Sequence, residues 1–571
     1  MISIFGSSLI FLALMSSIYT ILSNSIFIYN KDKRFLKSGT QSILVSCILI
    51  FLASITLVKE LINSNFNIDY IAKYSSATTP LIYKISAFWA GMEGSILFWL
   101  FVLSIYIFTI IIQNKNNYKN LMPWVMIILA TNLTFFLIIA YFFENPFKPI
   151  NSVSSIPKGS GLNPLLQHPA MLIHPPMLYL GYIGFCVPFS FAIAAMITKN
   201  LNSLWIQTTR RWTLISWLFL SVAIVLGGRW AYVELGWGGY WAWDPVENAS
   251  LLPWFTSTAY LHSVLIQQKK NMLHYWNMIL IMLTFLLTIF GTYLTRSGIV
   301  SSVHAFAATD LGIWFFGFVI FIFLSCILLL FLRRNELKSN NQLESFISRE
   351  SGFIFNNMLF VSMMLVVLWG TMYPVFSEAL TGIQVTVGPP YFNRIMVPIG
   401  LFLLLLTGIG PLLAWRRTSY SSLKTNFLKP IILALIITAI FSIVLKISLV
   451  YPIISIALCG FVMVTIFLEF YRGSKIFAKK YNISQFFALI KMINLNRTRY
   501  GGYIVHLGIV MMFAGFTGKA FDKEADLSLL PNESANLNEY TFIYTGNWIE
   551  TEKEFPKKRS NHIAQVIGLE V

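Results

Sequence analysis

The sequence predicts an all-α, polytopic membrane protein: a bundle of about fourteen transmembrane helices with a tryptophan-rich loop on its outer face and a short outer C-terminal tail. Three observations carry that prediction. Of 571 residues, 56% are hydrophobic and 11% charged, and the mean hydropathy of +0.69 is that of a chain whose solvent is largely lipid. Apolar runs of about 20 residues, the length that crosses the hydrocarbon core as a helix, recur along the chain. The basic residues alternate in density from one connecting loop to the next.

The runs centre near residues 16, 50, 100, 132, 185, 220, 257, 284, 321, 364, 403, 438, 458 and 509. The first lacks a basic start and is long enough to remain as an anchor rather than a cleaved leader. The net charge of +18 invites a nucleic-acid reading, but roughly 26 of the 41 Lys and Arg residues fall on every second loop and about nine on the loops between. Such alternation orients a membrane protein and gives no reason to expect nucleic acid. It places the N-terminus, the tryptophan-rich loop and the C-terminal tail away from the cytoplasm. Residues 1–518 then form the membrane domain and 519–571 an outer tail. Cys47, Cys186, Cys326 and Cys459 lie inside apolar runs without a CxxC pair, so they read as small buried hydrophobes.

The chemistry concentrates in WGGYWAWDPVEN, Trp237–Asn248, within a loop spanning 229–248. Trp237, Tyr240, Trp241 and Trp243 crowd seven positions around Gly238 and Gly239. An interfacial belt would scatter such residues, whereas this density points to a flat platform for a planar ligand. Asp244, Pro245 and Glu247 form a helix start: an N-cap, a proline at the first helical position and an acid that closes a capping box. Arg229 precedes the platform on the outer face and Arg296 follows the eighth span there. Either is a cation at a helix end or a donor to a carboxylate ligand. Glu93 enters the third span near its outer edge, as a functional acid or a surface-satisfied one.

The histidines sort by depth. His262 lies seventeen residues after Pro245, roughly 25 Å along a helix, and His506 lies a turn or so inside the last span from its basic end. Each sits toward the cytoplasmic half, where an unpaired imidazole is costly. His174 and His304 lie at the outer surface beside the tryptophan loop. Two facing imidazoles are the ligand set of six-coordinate haem iron. His168 competes with His174 on the same outer loop. Pro175 and Pro176 stiffen the turn at His174, while His168 stands farther out in HPAMLIHPP. His274 falls in a cytoplasmic loop and His562 in the tail, and neither matches a partner.

The stretch WGGYWAWDPVEN resembles the "WWD" signature of haem-handling membrane proteins of cytochrome c maturation. With HPPMLYLGY before it, TRSG followed by His304 after it and GGYIVHLG near the end, the chain from about residue 5 to 520 resembles the CcmF-type haem lyase family. The resemblance implies that the platform, with His174 and His304, holds a substrate haem delivered by a periplasmic haem chaperone. It implies that His262 and His506 ligate a second, resident haem b. The reaction it implies is addition of the two CxxCH thiols of apocytochrome c across the haem vinyl groups. The protein would sit in the bacterial inner membrane or an organellar equivalent, with other maturation subunits as partners and membrane quinol as an electron source. Side-chain acid–base catalysis is not expected; Trp237, Trp241, Trp243 and Asp244 would position the haem. Tyr240 and Ala242 replace bulkier aromatics of the signature, and the chain ends at Val571 where family members continue into a longer outer domain. The rival readings are a haem exporter, which calls for repeated halves with broken midplane helices, and a non-catalytic scaffold presenting haem to a chaperone.

Overall fold

A computed structural model of the chain describes residues 1–570 except 115–117, 151–157, 202–203, 235–238, 301, 303–310, 340, 342, 523–524, 526, 538–539 and 551–563. It packs as two units, Met1–Leu403 with Leu413–Thr418, and Leu404–Leu412 with Ser419–Val571. The helices follow in order: α1 (Ile2–Asn30), α2 (Lys33–Ile62), the short pair α3 (Asp69–Tyr74) and α4 (Leu81–Ser86), α5 (Met92–Gln113), α6 (Met122–Ile138), α7 (Pro169–Gly184), α8 (Cys186–Ile197), α9 (Leu204–Glu234), α10 (Pro245–Lys270), α11 (His274–Ser297), α12 (Leu311–Leu332), α13 (Arg349–Thr381) and α14 (Pro389–Ile409). The second unit adds α15 (Tyr420–Val444), α16 (Val450–Tyr481), the short α17 (Gln485–Leu495) and α18 (Arg497–Gly518).

Thirteen stretches among the described residues are helical, long and apolar enough to cross a membrane. The expected centre near 257 lies outside them, in α10. This helix has 26 residues, roughly 39 Å at 1.5 Å per residue, which is long enough to span, but its sequence is polar. Its neighbours account for that polarity. Trp217 Nε1 donates to Thr258 Oγ1 at 2.8 Å, Trp254 Nε1 to Ser221 Oγ at 2.8 Å, Thr284 Oγ1 to Thr256 Oγ1 at 2.8 Å and Asn277 Nδ2 to Gln267 Oε1 at 2.6 Å. Ser263 also donates to Asn277, and Asn248 Nδ2 donates to Thr371 Oγ1 at 3.0 Å. Thus α9, α11 and α13 each satisfy rungs of α10, as buried polar groups require.

Two prolines inside helices explain further cross-links. Pro175 in α7 has no N–H for the Met171 carbonyl, and the Trp89 indole donates to that oxygen instead, at 3.0 Å. Pro253 in α10 leaves the Ala249 carbonyl without its helical donor, and the Tyr182 hydroxyl donates there at 2.7 Å. The lost i−4 bonds are thereby replaced by side chains that tie α7 and α10 to their neighbours.

In the second unit α18 runs antiparallel to α16. Ser455 Oγ and Thr517 Oγ1 lie 2.6 Å apart near one end, and Arg499 Nη2 reaches Glu469 Oε2 at 2.6 Å near the other. The tail carries a three-stranded antiparallel sheet in the order β1 (Ser534–Leu537), β2 (Tyr540–Glu550), β3 (Ala564–Glu570). The register slips between Tyr544 and Gly546, and Gly546 takes φ 126° there, a conformation that favours glycine. A search for 20-residue apolar runs is blind to such strands, whose signal is β-branched and aromatic residues in short stretches.

Candidate functional site

The aromatic site is built where α9 ends and α10 begins. Asp244 caps α10, its Oδ2 accepting from Val246 N at 2.9 Å. Glu247 Oε2 closes the capping box from Asp244 N at 3.3 Å and also accepts from Ala242 N at 3.0 Å. Pro245 occupies the first turn. Trp243 enters the cap with φ 58°, a left-handed conformation that costs about 1–3 kcal/mol for a bulky residue. Three contacts hold it there. Its indole stacks on Phe392 at 4.7 Å and 10°, its Nε1 donates to Asn393 Oδ1 at 2.9 Å, and its carbonyl accepts from Asn248 Nδ2 at 3.0 Å. The left-handed step turns Trp243 across Trp241, whose ring lies 6.0 Å away at 88°. The two indoles therefore form a corner rather than one flat shelf. Trp241 Nε1 is buried without a hydrogen-bond partner among the described residues. Trp237, Gly238 and His304 lie outside the described residues.

His174 is not on a turn before a helix; it lies in the second turn of α7. Its Nδ1 is 2.9 Å from the Ala223 carbonyl of α9. A carbonyl only accepts, so Nδ1 carries the proton and Nε2 carries the lone pair, the tautomer of an Nε2 ligand. Gly227 permits this contact, since a Cβ there would stand 2.7 Å from His174 Cε1. A Cβ on Gly228 would stand 2.9 Å from the Tyr240 carbonyl. The Gly227–Gly228 pair thus admits both the imidazole and the aromatic loop, a signal in GGRW that the sequence reading passed over. Trp230 flanks the ring, 6.0 Å away at 38°.

His168 has a different role. It is the N-cap of α7, with Nδ1 accepting from Ala170 N at 3.1 Å and Nε2 3.6 Å from Glu234 Oε1. Arg229 is exposed. Arg296 is turned inward, 5% exposed, with Nη2 donating to Ser95 Oγ at 2.8 Å and Tyr179 Oη at 3.4 Å, and Nη1 against Met92 Sδ. Ser302, two residues before His304, donates to Asp244 Oδ2 at 2.7 Å, tying the segment after α11 to the cap of α10. Behind Arg296, burial pushes the Glu144 carboxyl up to about 7; Glu93 adds to the rise, and Lys148, Arg296 and Lys73 oppose it.

A second site lies on the seam between α10 and α13. His262 Nδ1 is 2.8 Å from the Thr258 carbonyl of its own helix, which again assigns the proton to Nδ1 and the lone pair to Nε2. Its ring lies between Phe353 at 5.9 Å and Phe360 at 6.1 Å. The helices are antiparallel, with Asn248 bonded to Thr371 near one end and Lys270 Nζ 3.4 Å from Glu350 Oε1 at the other. Fourteen residues beyond Asn248 is His262, and fourteen before Thr371 is Asn357, so the two stand at the same level. Asn357 is 2% exposed, and neither its Oδ1 nor its Nδ2 has a hydrogen-bond partner among the described residues. His506 lies in α18, in the second unit, nine residues from Arg497, roughly 13 Å from that basic end. His262 is eight residues from Lys270, roughly 12 Å from its own.

A protein-family model described as "Cytochrome C assembly protein" matches residues 89–300. The cytochrome c-type biogenesis protein CcmF of Haemophilus influenzae is 34% identical over 85% of this chain and 74% of its own length. That of Escherichia coli is 34% identical over 86% of this chain and 74% of its own. The chain belongs to the CcmF family. A solved structure named cytochrome c heme lyase CcmF superposes with TM-score 0.78 at 28% identity, covering 97% of this chain and 83% of that one. The matched family segment runs from Trp89 to the end of α11, and so contains His168, His174, the aromatic loop, His262 and Arg296. Four positions that complete the packing around these groups, Asn357, Thr371, Phe392 and Asn393, lie beyond it.

Proposed function

We propose that the chain is a haem lyase of cytochrome c maturation. It holds a substrate haem on the tryptophan corner and presents the vinyl groups to the CxxCH thiols of apocytochrome c. The observation that carries this reading is shared by His174 and His262: each donates Nδ1–H to a helix carbonyl, so each offers Nε2 to a metal in an orientation fixed by the second hydrogen bond. The orphaned Trp241 Nε1 at the outer site and the orphaned Asn357 carboxamide opposite His262 are buried polar atoms that a polar-edged planar ligand would satisfy, so the residues present fit haem at both places.

In this reading His174 and His304 would hold the iron of the substrate haem, Trp237, Tyr240, Trp241 and Trp243 would pack against it, and Arg229 would pair with its carboxylates. Trp243, locked by Phe392 and Asn393, fixes the plane of approach. The chain supplies position: holding vinyl and thiol together removes most of the entropic barrier of a bimolecular addition, and the substrate supplies the sulfurs. His262 and His506 hold a resident haem b, which when bound supplies a one-electron carrier, with membrane quinol as the electron source. The loop, the N-terminus and the tail face the periplasm across the inner membrane, where a haem chaperone and the other maturation subunits dock.

The test is the absorption spectrum of detergent-purified protein. Wild type is expected to show bis-histidine b-type bands, and His262→Ala and His506→Ala each to lose them. Full retention in both single variants would remove the resident-haem assignment.

A further inference from the structure

The apolar run of α16 ends near Phe470, and the chain beyond it is dense in positive charge. Residues 471–500 hold seven Lys and Arg residues and no Asp or Glu. Two of the seven are satisfied within the second unit: Arg499 pairs with Glu469 at 2.6 Å, and Arg472 Nη1 donates to Asn426 Oδ1 at 3.0 Å. Lys475, Lys479, Lys480, Lys491 and Arg497 pair with no carboxylate among the described residues. Within this stretch lies α17, whose 11 residues are too few to cross a bilayer.

This helix is set across α16 rather than along it. Gln485 Nε2, on its first residue, donates to Ser474 Oγ at 3.1 Å. Met492, seven residues on, lies over Gly473, where a Cβ would stand 2.8 Å from its Sδ. Side-by-side helices would separate these two contacts by about 10 Å along α16, yet they fall on adjacent residues. Because α16 is long and apolar enough to cross a membrane, a helix laid across it just past the apolar run lies in the plane of the bilayer surface. Ala488 and Met492 are buried on the side against α16, while Ile490 is exposed with Phe486 and Phe487, at 67% and 65%, on the side turned away. Lys491 Nζ lies 4.6 Å from the centre of the Tyr481 ring, and Lys480 Nζ, from α16, lies 5.4 Å from it. Phe477 packs on that ring at 4.4 Å and 33°. Cation–π attraction thus gathers ammonium groups from two helices around one fixed ring.

We propose that α17 is an interfacial anchor that binds an anionic phospholipid, with the headgroup phosphate between Lys480 and Lys491 and the acyl chains along Phe486, Phe487 and Ile490. A short helix with phenylalanines on one side and a lysine on its flank settles at the headgroup boundary, burying the first and pairing the second. The phosphate supplies the negative charge that residues 471–500 lack, and ammonium–phosphate hydrogen bonds are charge-assisted. A soluble anion would meet the two lysines but leave both phenylalanines in water. An acidic protein segment would have to displace the bilayer from the surface where α16 leaves it. The site lies wholly within the second unit.

The experiment uses the full chain, delipidated in detergent and titrated with phosphatidylglycerol or phosphatidylcholine, reading the lipid-bound fraction by native mass spectrometry. Wild type is expected to hold phosphatidylglycerol about tenfold more tightly than phosphatidylcholine. Lys480→Gln/Lys491→Gln is expected to lose most of that preference, and Lys480→Arg/Lys491→Arg to keep it. Phe486→Ser/Phe487→Ser is expected to weaken both lipids alike. A wild type without the preference, or a glutamine double variant that retains it, overturns the site. If that double variant fails to fold, Lys491→Gln alone is expected to narrow the preference about threefold, and an unchanged preference there overturns the site as well. A serine double variant that binds phosphatidylglycerol as wild type does, with glycerol phosphate displacing the lipid, assigns the lysines to a soluble anion and overturns the anchor.

Discussion

The division of labour between His168 and His174 is the sharpest consequence of the aromatic site. His168 Nδ1 accepts the Ala170 N–H that opens α7, so His168→Ala should cost about 1 kcal/mol, the usual value of an N-cap. Its half-exposed approach to Glu234 adds at most a fraction of that. Against a typical stability of roughly 5–15 kcal/mol, the loss leaves the protein folded. Asparagine is itself a good N-cap, so His168→Asn should recover most of it. His174→Ala removes instead the imidazole that is oriented by Ala223 and packed into the space left by Gly227. The assay is covalent haem staining of a c-type cytochrome in cells with matched amounts of each variant. The expected order is wild type close to His168→Asn, a modest drop for His168→Ala, and a loss of tenfold or more for His174→Ala. Imidazole in the medium should partly restore His174→Gly by filling the vacated position. If His168→Asn abolishes cytochrome c formation at normal protein level while His174→Ala retains it, the capping argument and the ligand assignment are both wrong.

Two further outcomes are expected. Asn357→Leu should raise the unfolding temperature of the haem-free protein, because a buried unsatisfied amide costs about 1–3 kcal/mol, and should weaken haem retention; a variant that loses stability with its haem intact would show that the carboxamide is structural. For Glu144 the folded pKa of about 7 lies above the ordinary 4.5, so the folded state resists ionisation and this residue destabilises increasingly as pH rises from 4.5 through 7. Glu144→Gln should therefore gain little unfolding temperature over wild type near pH 4.5 and progressively more toward pH 8; a gain independent of pH would refute the burial of that carboxyl.

What was legible in the sequence was whatever one segment could announce by itself. The Asp244–Pro245–Glu247 cap formed as its residues dictate, and thirteen of the fourteen expected spans are apolar helices. The fold class and the family followed from the same local signals. What was not legible depends on partners distant in the chain. Trp241 and Trp243 read as a flat shelf, but the stacking of Trp243 on Phe392, about 150 residues away, turns them into a corner. His174 read as a turn residue because Pro175 and Pro176 follow it. It is helical because the Trp89 indole supplies the hydrogen bond that Pro175 cannot. Arg296 read as an outer-face cation, yet Met92, Ser95 and Tyr179 draw it inside. Asn357 gave no signal at all, since a lone Asn in an apolar run acquires meaning only from the helix opposite.

The helix opposite is α10, and its low hydropathy follows from its position. A helix packed against α9, α11 and α13 needs no apolar surface toward lipid on those faces, and its Ser, Thr, Asn and Gln residues make specific rungs instead. Those rungs fix register. Asn248 on Thr371 pins one end of the α10–α13 seam and Lys270 on Glu350 pins the other, with His262 and Asn357 level between them. Sliding α10 by one residue would shift it about 1.5 Å and turn its contact face by about 100°, breaking both pins together. Leucines and valines would tolerate many such offsets, because apolar packing is not directional. The polar sequence that hides α10 from a hydropathy scan is thus what holds the aromatic corner at one end of the helix in a fixed relation to His262.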